Sequence, residues 1–594
     1  METIETVYGA SVTNENVPSL HPNPYFERKD FVLLDGIWDF RMDKRDALPL
    51  SYEEKIRVPF AVESRLSLIH RSVSKDDYLH YRRIVSIPED KRDGLFRLVF
   101  TAVDQEAKVF VDGMLLKEHR FGYAPFDVVF PINGRESVSI EVIVHDDTDS
   151  PLYGRGKQSN KPGGIWYHPT SGIWGSVYLE YLPNERYITS LSIRPDFDNK
   201  EVTVEAPSSK EGKTAVEILY GDKVVATGEV NEKQRVTIPL GDCFHPWNQK
   251  HPCLYEVRVT CDEDAVSSAF AFRKVERKKI GNAPIVCLNG EPLFLSALLD
   301  QGYYPESGLT PPSLEAMRND IETAKRLGYN CLRKHIKVEP MRWYYLCDSL
   351  GMYVIQDFVS GGSPYSFFAI SAPALLPFYN PNDANSKGLG RGSLESRNQF
   401  GRELVETFQT LSNVPSIIAW TLFNEGWGQF EAVRMTEELK KLDPTRLIDS
   451  TSGWHDKGVG DFSSKHIYFT PLKMKRDKER ILSLSEFGGF ALREEGHVET
   501  KRSFGYKKFK TKEGLEKALS RLYSKVRSLI TEKGLGVAVY TELTDVEDEL
   551  NGLLTYDRKV LKVDESFMRS LNESLYKAFE EMVQKQKTVV NDAK

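Results

Sequence analysis

The sequence predicts a multidomain chain: an N-terminal β jelly roll over residues 1–181, an immunoglobulin-like β-sandwich over 182–275 and a C-terminal (β/α)8 TIM barrel over 276–594. Three observations predict it. Residues 30–181 consist of short runs of alternating or β-branched residues cut by Gly, Asp, Asn and Pro, the mark of a sandwich or jelly roll. Residues 182–275 continue that pattern over the length of one immunoglobulin-like sandwich. From 276 onward, apolar runs alternate with helical patterns, and the runs number eight.

In the first region, Leu95-Phe96-Arg97-Leu98-Val99-Phe100 and Ala107-Lys108-Val109-Phe110-Val111 read as strands, and residues 135–144 alternate polar and apolar. Asp112-Gly113 after Val111 signals a tight hairpin turn. Trp38, Tyr78, Tyr81, Trp166, Tyr167 and Trp174 make this region dense in aromatics, and most of them suit a sandwich core. Beside Trp166, the polar loop 155–164 is too long for a plain connection and is expected to reach another domain. In the second region, 214–220 pairs with 223–227 across Gly221-Asp222, and a spacer role is expected. In the third, the expected strands are 292–300, 329–335, 352–358, 416–425, 447–451, 466–470, 481–489 and 536–543. Helical patterns cover 313–327, 401–411, 430–442 and 514–532, while the segments after strands five and six are short of helix. Residues 359–392, rich in Gly, Pro, Ser and Asn, form a long loop after strand three, and long loops on compact domains are often functional.

The 594 residues are 40% hydrophobic and 28% charged, with net charge −7. That composition is ordinary for a soluble globular protein, and the charge disfavours nucleic acid or an anionic membrane as main partner. No apolar run has the length of a membrane helix, and no signal peptide is visible at the N-terminus. Six scattered cysteines without a C-x-x-C pair point to reduced, buried thiols. A cytoplasmic location is the expectation, and a homo-oligomer is left open.

Two stretches carry the chemistry. Ser416-Ile417-Ile418-Ala419-Trp420-Thr421-Leu422-Phe423-Asn424-Glu425-Gly426 is an apolar run ending in a carboxylate and a glycine. Ile481-Leu482-Ser483-Leu484-Ser485-Glu486-Phe487-Gly488-Gly489 repeats the form. Barrel enzymes place their chemistry where strands end, and two such strands can aim both carboxylates into one pocket. Paired carboxylates across a sugar bond are the equipment of glycoside hydrolysis.

The order of domains and several motifs resemble glycoside hydrolase family 2, the family of β-galactosidases, β-glucuronidases and β-mannosidases. Leu34-Asp35-Gly36-Ile37-Trp38-Asp39-Phe40 is similar to the family's opening strand, and Gly164-Ile165-Trp166 with Ser171-Gly172-Ile173-Trp174 to the end of its sugar-binding jelly roll. Asn330-Cys331-Leu332-Arg333-Lys334-His335 through Trp343, Asp348 and Gly351 resembles the signature on barrel strand two. Phe423-Asn424-Glu425-Gly426-Trp427 resembles the acid/base motif and Ser485-Glu486-Phe487-Gly488 the nucleophile motif.

The resemblance implies a retaining exo-β-glycosidase with carbohydrate as partner. Glu425 is then general acid and base and Glu486 the nucleophile. Asn424 matches the residue that bonds the sugar 2-OH, Arg333 the arginine that keeps the nucleophile ionised, and Tyr468 a tyrosine near it. Asp300, His335 and His466, at expected strand ends, are candidates for sugar hydroxyls, and Trp427 and Trp454 for sugar platforms. Some departures stand out. His335-Ile336-Lys337 replaces His-Tyr-Pro, and Thr541 stands where many relatives carry Trp. The Asn-Lys pair that reads a glucuronate and the Trp-Gly-Gly-Gly run of mannosidases are missing. By elimination the reading is β-galactosidase-like, with β-glucuronidase, β-mannosidase or β-arabinosidase as alternatives in the family. A lapsed, non-catalytic carbohydrate-binding barrel is the alternative of another class; such a barrel is expected to have lost a carboxylate. A metal-dependent hydrolase lacks its ligand spacing here. Residues 393–414, where relatives with metal sites add ligands, hold no His, so no metal and no cofactor are expected.

Overall fold

In this computed structural model, residues 3–13, 20–183, 186–370, 372–374, 380–384, 386–469 and 471–592 are described. Eight parallel strands surround one axis: Leu295–Asp300, Cys331–Lys334, Tyr353–Asp357, Ile417–Asn424, Leu447–Ser452, Phe462–Ile467, Ile481–Gly488 and Leu535–Thr541. Their hydrogen-bonded order is five, four, three, two, one, eight, seven, six. The seam between five and six is closed by side chains: Ser464 Oγ donates to Asp449 Oδ2 at 2.6 Å, and Ser452 Oγ meets His466 Nε2 at 3.0 Å.

All of these strands but the sixth are buried on both faces, so their sequences read as apolar runs while the two faces serve different cores. Leu298, Leu332, Val354 and Leu484 pack outward with the surrounding helices. Ala297, Leu299, Cys331 and Ile355 pack inward with Val286, Leu288 and Trp247. Period-two alternation therefore carries Arg333 and Asp357 inward with Cys331 and Ile355. On strand seven alternation would turn Glu486 outward with Leu482 and Leu484. The ladder to strand eight slips between Leu484 and Phe487, and this bulge re-aims Glu486.

Helices Leu314–Arg326, Leu394–Leu411 and Lys512–Lys533 start at Ser313, Ser393 and Thr511, whose side chains accept from the backbone three residues on. Helix Leu394–Leu411 begins earlier than the expected 401. The pattern also missed helix Met341–Leu350 and the C-terminal helix Glu565–Asp592. As expected, no helix follows strands five and six among the described residues.

Two barrel strands differ from expectation. Strand six is Phe462–Ile467, not 466–470, and Thr470 lies outside the described residues. With no helix over its outer face, it alternates buried Phe462, Ser464 and His466 with exposed Lys465, so no apolar run marks it. Strand one begins at Leu295, not 292. Glu291–Leu293 instead joins an antiparallel sheet with Val275–Ile280 and Ala283–Leu288, so strand-helix alternation starts later than 276.

Before the barrel, a four-stranded sheet and a six-stranded sheet share a core that includes Trp38, Phe40, Tyr81, Phe96, Val109 and Leu179. Within the larger sheet, Glu106–Val111 and Met114–Arg120 turn at Asp112 and Gly113, with φ of 50° and 78°. Next, Ala215–Tyr220 pairs with Lys223–Glu229 in a four-stranded sheet that shares a core with a three-stranded one. All six cysteines are free, but Cys243 and Cys253 are only half-buried, since Cys243 ends the turn Gly241–Cys243 and Cys253 lies in the irregular stretch before strand Tyr255–Cys261, neither on a core strand. Among the described residues, no helix is long and apolar enough to cross a membrane.

Candidate active site

Strand four ends at Asn424, and Glu425 follows with φ of 51°. That left-handed turn is rare for a residue with a side chain and swings the carboxyl off the strand direction; Gly426 continues it at 77°. Glu425 and Glu486 come together over the lumen, 8% and 4% exposed. One oxygen of each, with a ring nitrogen of His466, lie within 4.8 Å of one another.

Arg333 organises the floor. Its Nη1 donates to Glu486 Oε1 at 2.9 Å, and its Nη2 donates to Asn424 Oδ1 at 2.8 Å. Nε and Nη2 grip both oxygens of Asp357 at 3.0 Å. The grip on Asn424 orients its amide, whose Nδ2 is buried without a protein partner. Tyr468, just past strand six, donates its hydroxyl to Glu486 Oε2, and its ring stacks on Tyr506 at 3.7 Å.

Not every expected ligand faces a substrate. His466 uses both ring nitrogens on protein: Nδ1 is 2.8 Å from Glu425 Oε1, and Nε2 meets Ser452 Oγ, with Glu486 Oε1 at 3.5 Å. Its imidazole is a bridge between carboxyls and not a reader of sugar hydroxyls. The Asp300 carboxylate accepts from Lys334 Nζ at 2.7 Å and from Gly302 N at 3.1 Å, which makes it an anchor for strand two. Trp454 donates Nε1 to the Glu425 carbonyl at 2.9 Å and meets His466 edge-on, so it backs the pair and does not offer a platform. His335 holds Asp357 Oδ2 through Nδ1 at 2.9 Å, and among the described residues nothing bonds its Nε2. Trp427 stands in an aromatic wall with Trp166 at 5.1 Å and Tyr365 at 6.2 Å, centroid to centroid.

The loop from the first domain does reach this mouth. Backbone N–H groups of Arg155 and Gly156 donate to the Ser360 carbonyl after strand three, at 2.8 and 2.9 Å. Gly156, at φ 64°, passes so close to the Ile336 carbonyl that a Cβ would sit 2.9 Å from it. Lys157 arrives buried, its Nζ 3.5 Å from Glu549 Oε2, and Tyr167 Oη donates to the same oxygen at 2.5 Å. Sequence reasoning missed Asp357, Tyr506, Lys157 and Glu549 individually. Asp357 had a signal, a carboxylate ending the run Tyr353-Val354-Ile355-Gln356. Tyr506 had none, since it precedes the short strand Lys507–Phe509 and follows no apolar run in the sequence.

The electrostatics divide the two carboxyls. Burial, reinforced by the Glu486 charge, raises Glu425 well above the usual carboxylate range. Burial also raises Glu486, but Arg333, the Tyr468 hydroxyl and Lys157 work against it. Burial, then the Arg333 charge, pushes His466 well below its usual value, so the bridging imidazole is neutral. Burial likewise lowers His335 to about 3. Burial opposes ionisation of Asp357, yet Arg333 and His335 outweigh it and hold its pKa below the ordinary value. Among the described residues Glu425, His466 and Glu486 are near enough to hold a metal ion. The Arg333 guanidinium on Glu486 opposes a second cation at that oxygen.

Residues 288–484 match the TIM barrel domain of glycosyl hydrolases family 2. The chain is 22% identical over 492 residues to a β-galactosidase large subunit of Lactobacillus acidophilus, covering 78% of this chain and 71% of that protein. It is 25% identical over 397 residues to a β-galactosidase of Halalkalibacterium halodurans, covering 63% of this chain but 36% of that one. In fold it is similar to a solved β-D-glucuronidase of Dictyoglomus thermophilum, with TM-score 0.71 and 18% identity over 94% of this chain and 98% of that one.

Proposed function

We propose, from this chain's membership of glycoside hydrolase family 2, that it is a retaining exo-β-glycosidase acting by double displacement, with β-galactosidase-like specificity. The observation that carries the reading is the approach of Glu425 and Glu486, with oxygens within 4.8 Å. Retaining enzymes hold their carboxyls about 5–5.5 Å apart, too close for an intervening water.

In the first step a Glu486 oxygen attacks the anomeric carbon while Glu425 gives its proton to the departing oxygen, and a glycosyl ester forms on Glu486. Arg333 and Tyr468 hold Glu486 ionised and oriented for that attack. Asn424, whose Nδ2 is buried without a protein partner, bonds the sugar 2-OH in this reading, a contact that strengthens in an oxocarbenium-like transition state. Esterification removes the Glu486 charge, so the Glu425 pKa falls. Glu425, now ionised, takes a proton from water, which attacks the same carbon and releases the sugar with its configuration kept.

The sheets before the barrel support reading residues 1–181 as a jelly roll and 182–275 as an immunoglobulin-like sandwich, with the catalytic barrel in 276–594. A cytoplasmic location remains our reading. β-Glucuronidase, β-mannosidase and β-arabinosidase activities are the alternatives in the family. Nuclear magnetic resonance of the first-formed sugar, on the best substrate from an aryl β-glycoside panel, tests the mechanism. Retention is expected, and inversion would overturn it.

A further inference from the structure

Tyr468 donates its hydroxyl to Glu486 Oε2, yet its own strand does little to hold it there. The ladder between strands six and seven ends at the pair Ile467 and Phe487, so Tyr468 stands one residue past the last pairing. Among the described residues no helix follows strand six. Tyr468 is only half-buried, and its neighbour Phe469 is 56% exposed. Fixing such a side chain in one rotamer costs conformational entropy, so the hydroxyl needs support from elsewhere.

That support comes from the segment between strand seven and helix Lys512–Lys533. The Tyr506 ring lies on the Tyr468 ring, with centroids 3.7 Å apart and planes 6° from parallel. Among the described residues one other ring meets Tyr468, that of His466, edge-on at 6.2 Å. Tyr506 is mounted from both sides. Its N–H donates to the Gly489 carbonyl at 3.0 Å, and the strand that follows it, Lys507–Phe509, pairs with Phe490–Leu492. Before it, the Phe504 N–H donates to the Asp548 carbonyl at 2.7 Å, and the Leu550 N–H donates to the Phe504 carbonyl at 3.1 Å. Phe504 and Phe469 brace the Tyr506 ring edge-on at 5.5 and 5.2 Å. The second glycine of Gly488-Gly489 leaves this ring its place, since a Cβ on Gly489 would run into it.

We propose that Tyr506 is a positioning residue that acts through Tyr468: its ring clamps the phenol, so that the hydroxyl stays on Glu486 while that carboxylate attacks the anomeric carbon. This rests on the glycosidase reading and adds a residue outside the barrel strands to the support of the nucleophile. The ring carries the role, and the Tyr506 hydroxyl does not. The test isolates the attack of Glu486. It measures the rate constant of inactivation by the 2-fluoro form of the best aryl β-glycoside of the panel, with a dinitrophenolate leaving group that needs no proton. Tyr506→Leu should lower this constant by about 10-fold, the full worth of one aromatic pair. Tyr506→Phe keeps the stack and should lose less than about 3-fold. Tyr468→Phe should lose about 10–100-fold, as for one hydrogen bond to a charged group. It keeps the stacked ring and removes only the hydroxyl, so a ring that merely packs would cost the same in both backgrounds. On the proposal, adding Tyr506→Leu to Tyr468→Phe should cost less than about 3-fold more. Each variant is checked by circular dichroism, and Tyr506→Gln repeats the cycle if Tyr506→Leu folds poorly. Losses that multiply in the double variant, an unaffected Tyr506→Leu, or a Tyr506→Phe loss as large as that of Tyr506→Leu would overturn the assignment and leave the glycosidase standing. A wild type that cleaves no aryl β-glycoside and takes no label on Glu486 would instead overturn the reading beneath it.

Discussion

His466 Nδ1 lies 2.8 Å from Glu425 Oε1, so the side chain assigned as acid and base is held by a neutral imidazole whose other nitrogen faces Glu486. That bridge fixes the Glu425 carboxyl and links the two carboxyls through one ring. His466→Asn should therefore lower kcat by about 10²-fold or more, within the range of positioned acid–base groups, with KM changed far less. The basic limb of the pH profile, which reports Glu425, should move. A variant with an unmoved limb and intact kcat would show the ring to be packing alone.

Arg333 pairs with both Asp357 and Glu486 in a buried site. Removing one partner of a buried ion pair costs about 3–5 kcal/mol, so Arg333→Met should lower Tm clearly. Without that charge the acid limb, which reports Glu486, should shift to higher pH. Thermal unfolding and a kcat/KM profile read both, and an acid limb at its wild-type position would contradict the role given to Arg333.

Both carboxylates were legible because each ends an apolar run with glycine close behind, Gly426 next to Glu425 and Gly488 two residues after Glu486. Their aim was not, since it depends on a slipped ladder at Ser485-Glu486 and a left-handed turn at Glu425. The bridge role of His466 was hidden for a related reason. Strand six has an exposed outer face, so its sequence carries no apolar run and its register could not be read. The barrel's end plug, formed with Trp247 from the preceding region, depends on contacts between distant parts of the chain that periodicity does not report.

Trp166, contributed by the first domain, meets Trp427 at 5.1 Å at the mouth. If this wall receives the aglycone, Trp166→Ala should raise KM for aryl glycosides by about 10-fold, roughly one lost aromatic contact. The kcat on a dinitrophenyl substrate should hold. Steady-state kinetics on aryl and methyl glycosides decides it, and an equal loss on both would remove Trp166 from the aglycone side.

Glu403 anchors the first-domain loop by accepting from Gly154 N at 3.1 Å, and burial raises its pKa to about 7. The sign follows from the raised value. Below about pH 4.5 the group is protonated in both states and costs nothing. Between there and about pH 7 the unfolded chain ionises first, so stability falls as pH rises, by on the order of 3 kcal/mol. Glu403→Gln keeps the acceptor and removes the titration. Its Tm should drop less than the wild type's between pH 5 and pH 8.5, and an identical drop would refute the cause.

The division of labour between the two carboxyls is tested most directly by Glu425→Ala with dinitrophenyl and poorer leaving groups, with and without azide. A dinitrophenolate departs without protonation, so glycosylation should survive, while the missing base stalls deglycosylation and yields a burst of phenol. Substrates with poor leaving groups should lose far more activity. Azide needs no base, so it should restore turnover and give the β-glycosyl azide. Equal loss on good and poor leaving groups with no rescue, or an α-glycosyl azide, would contradict the assignment of Glu425 as acid and base and Glu486 as nucleophile.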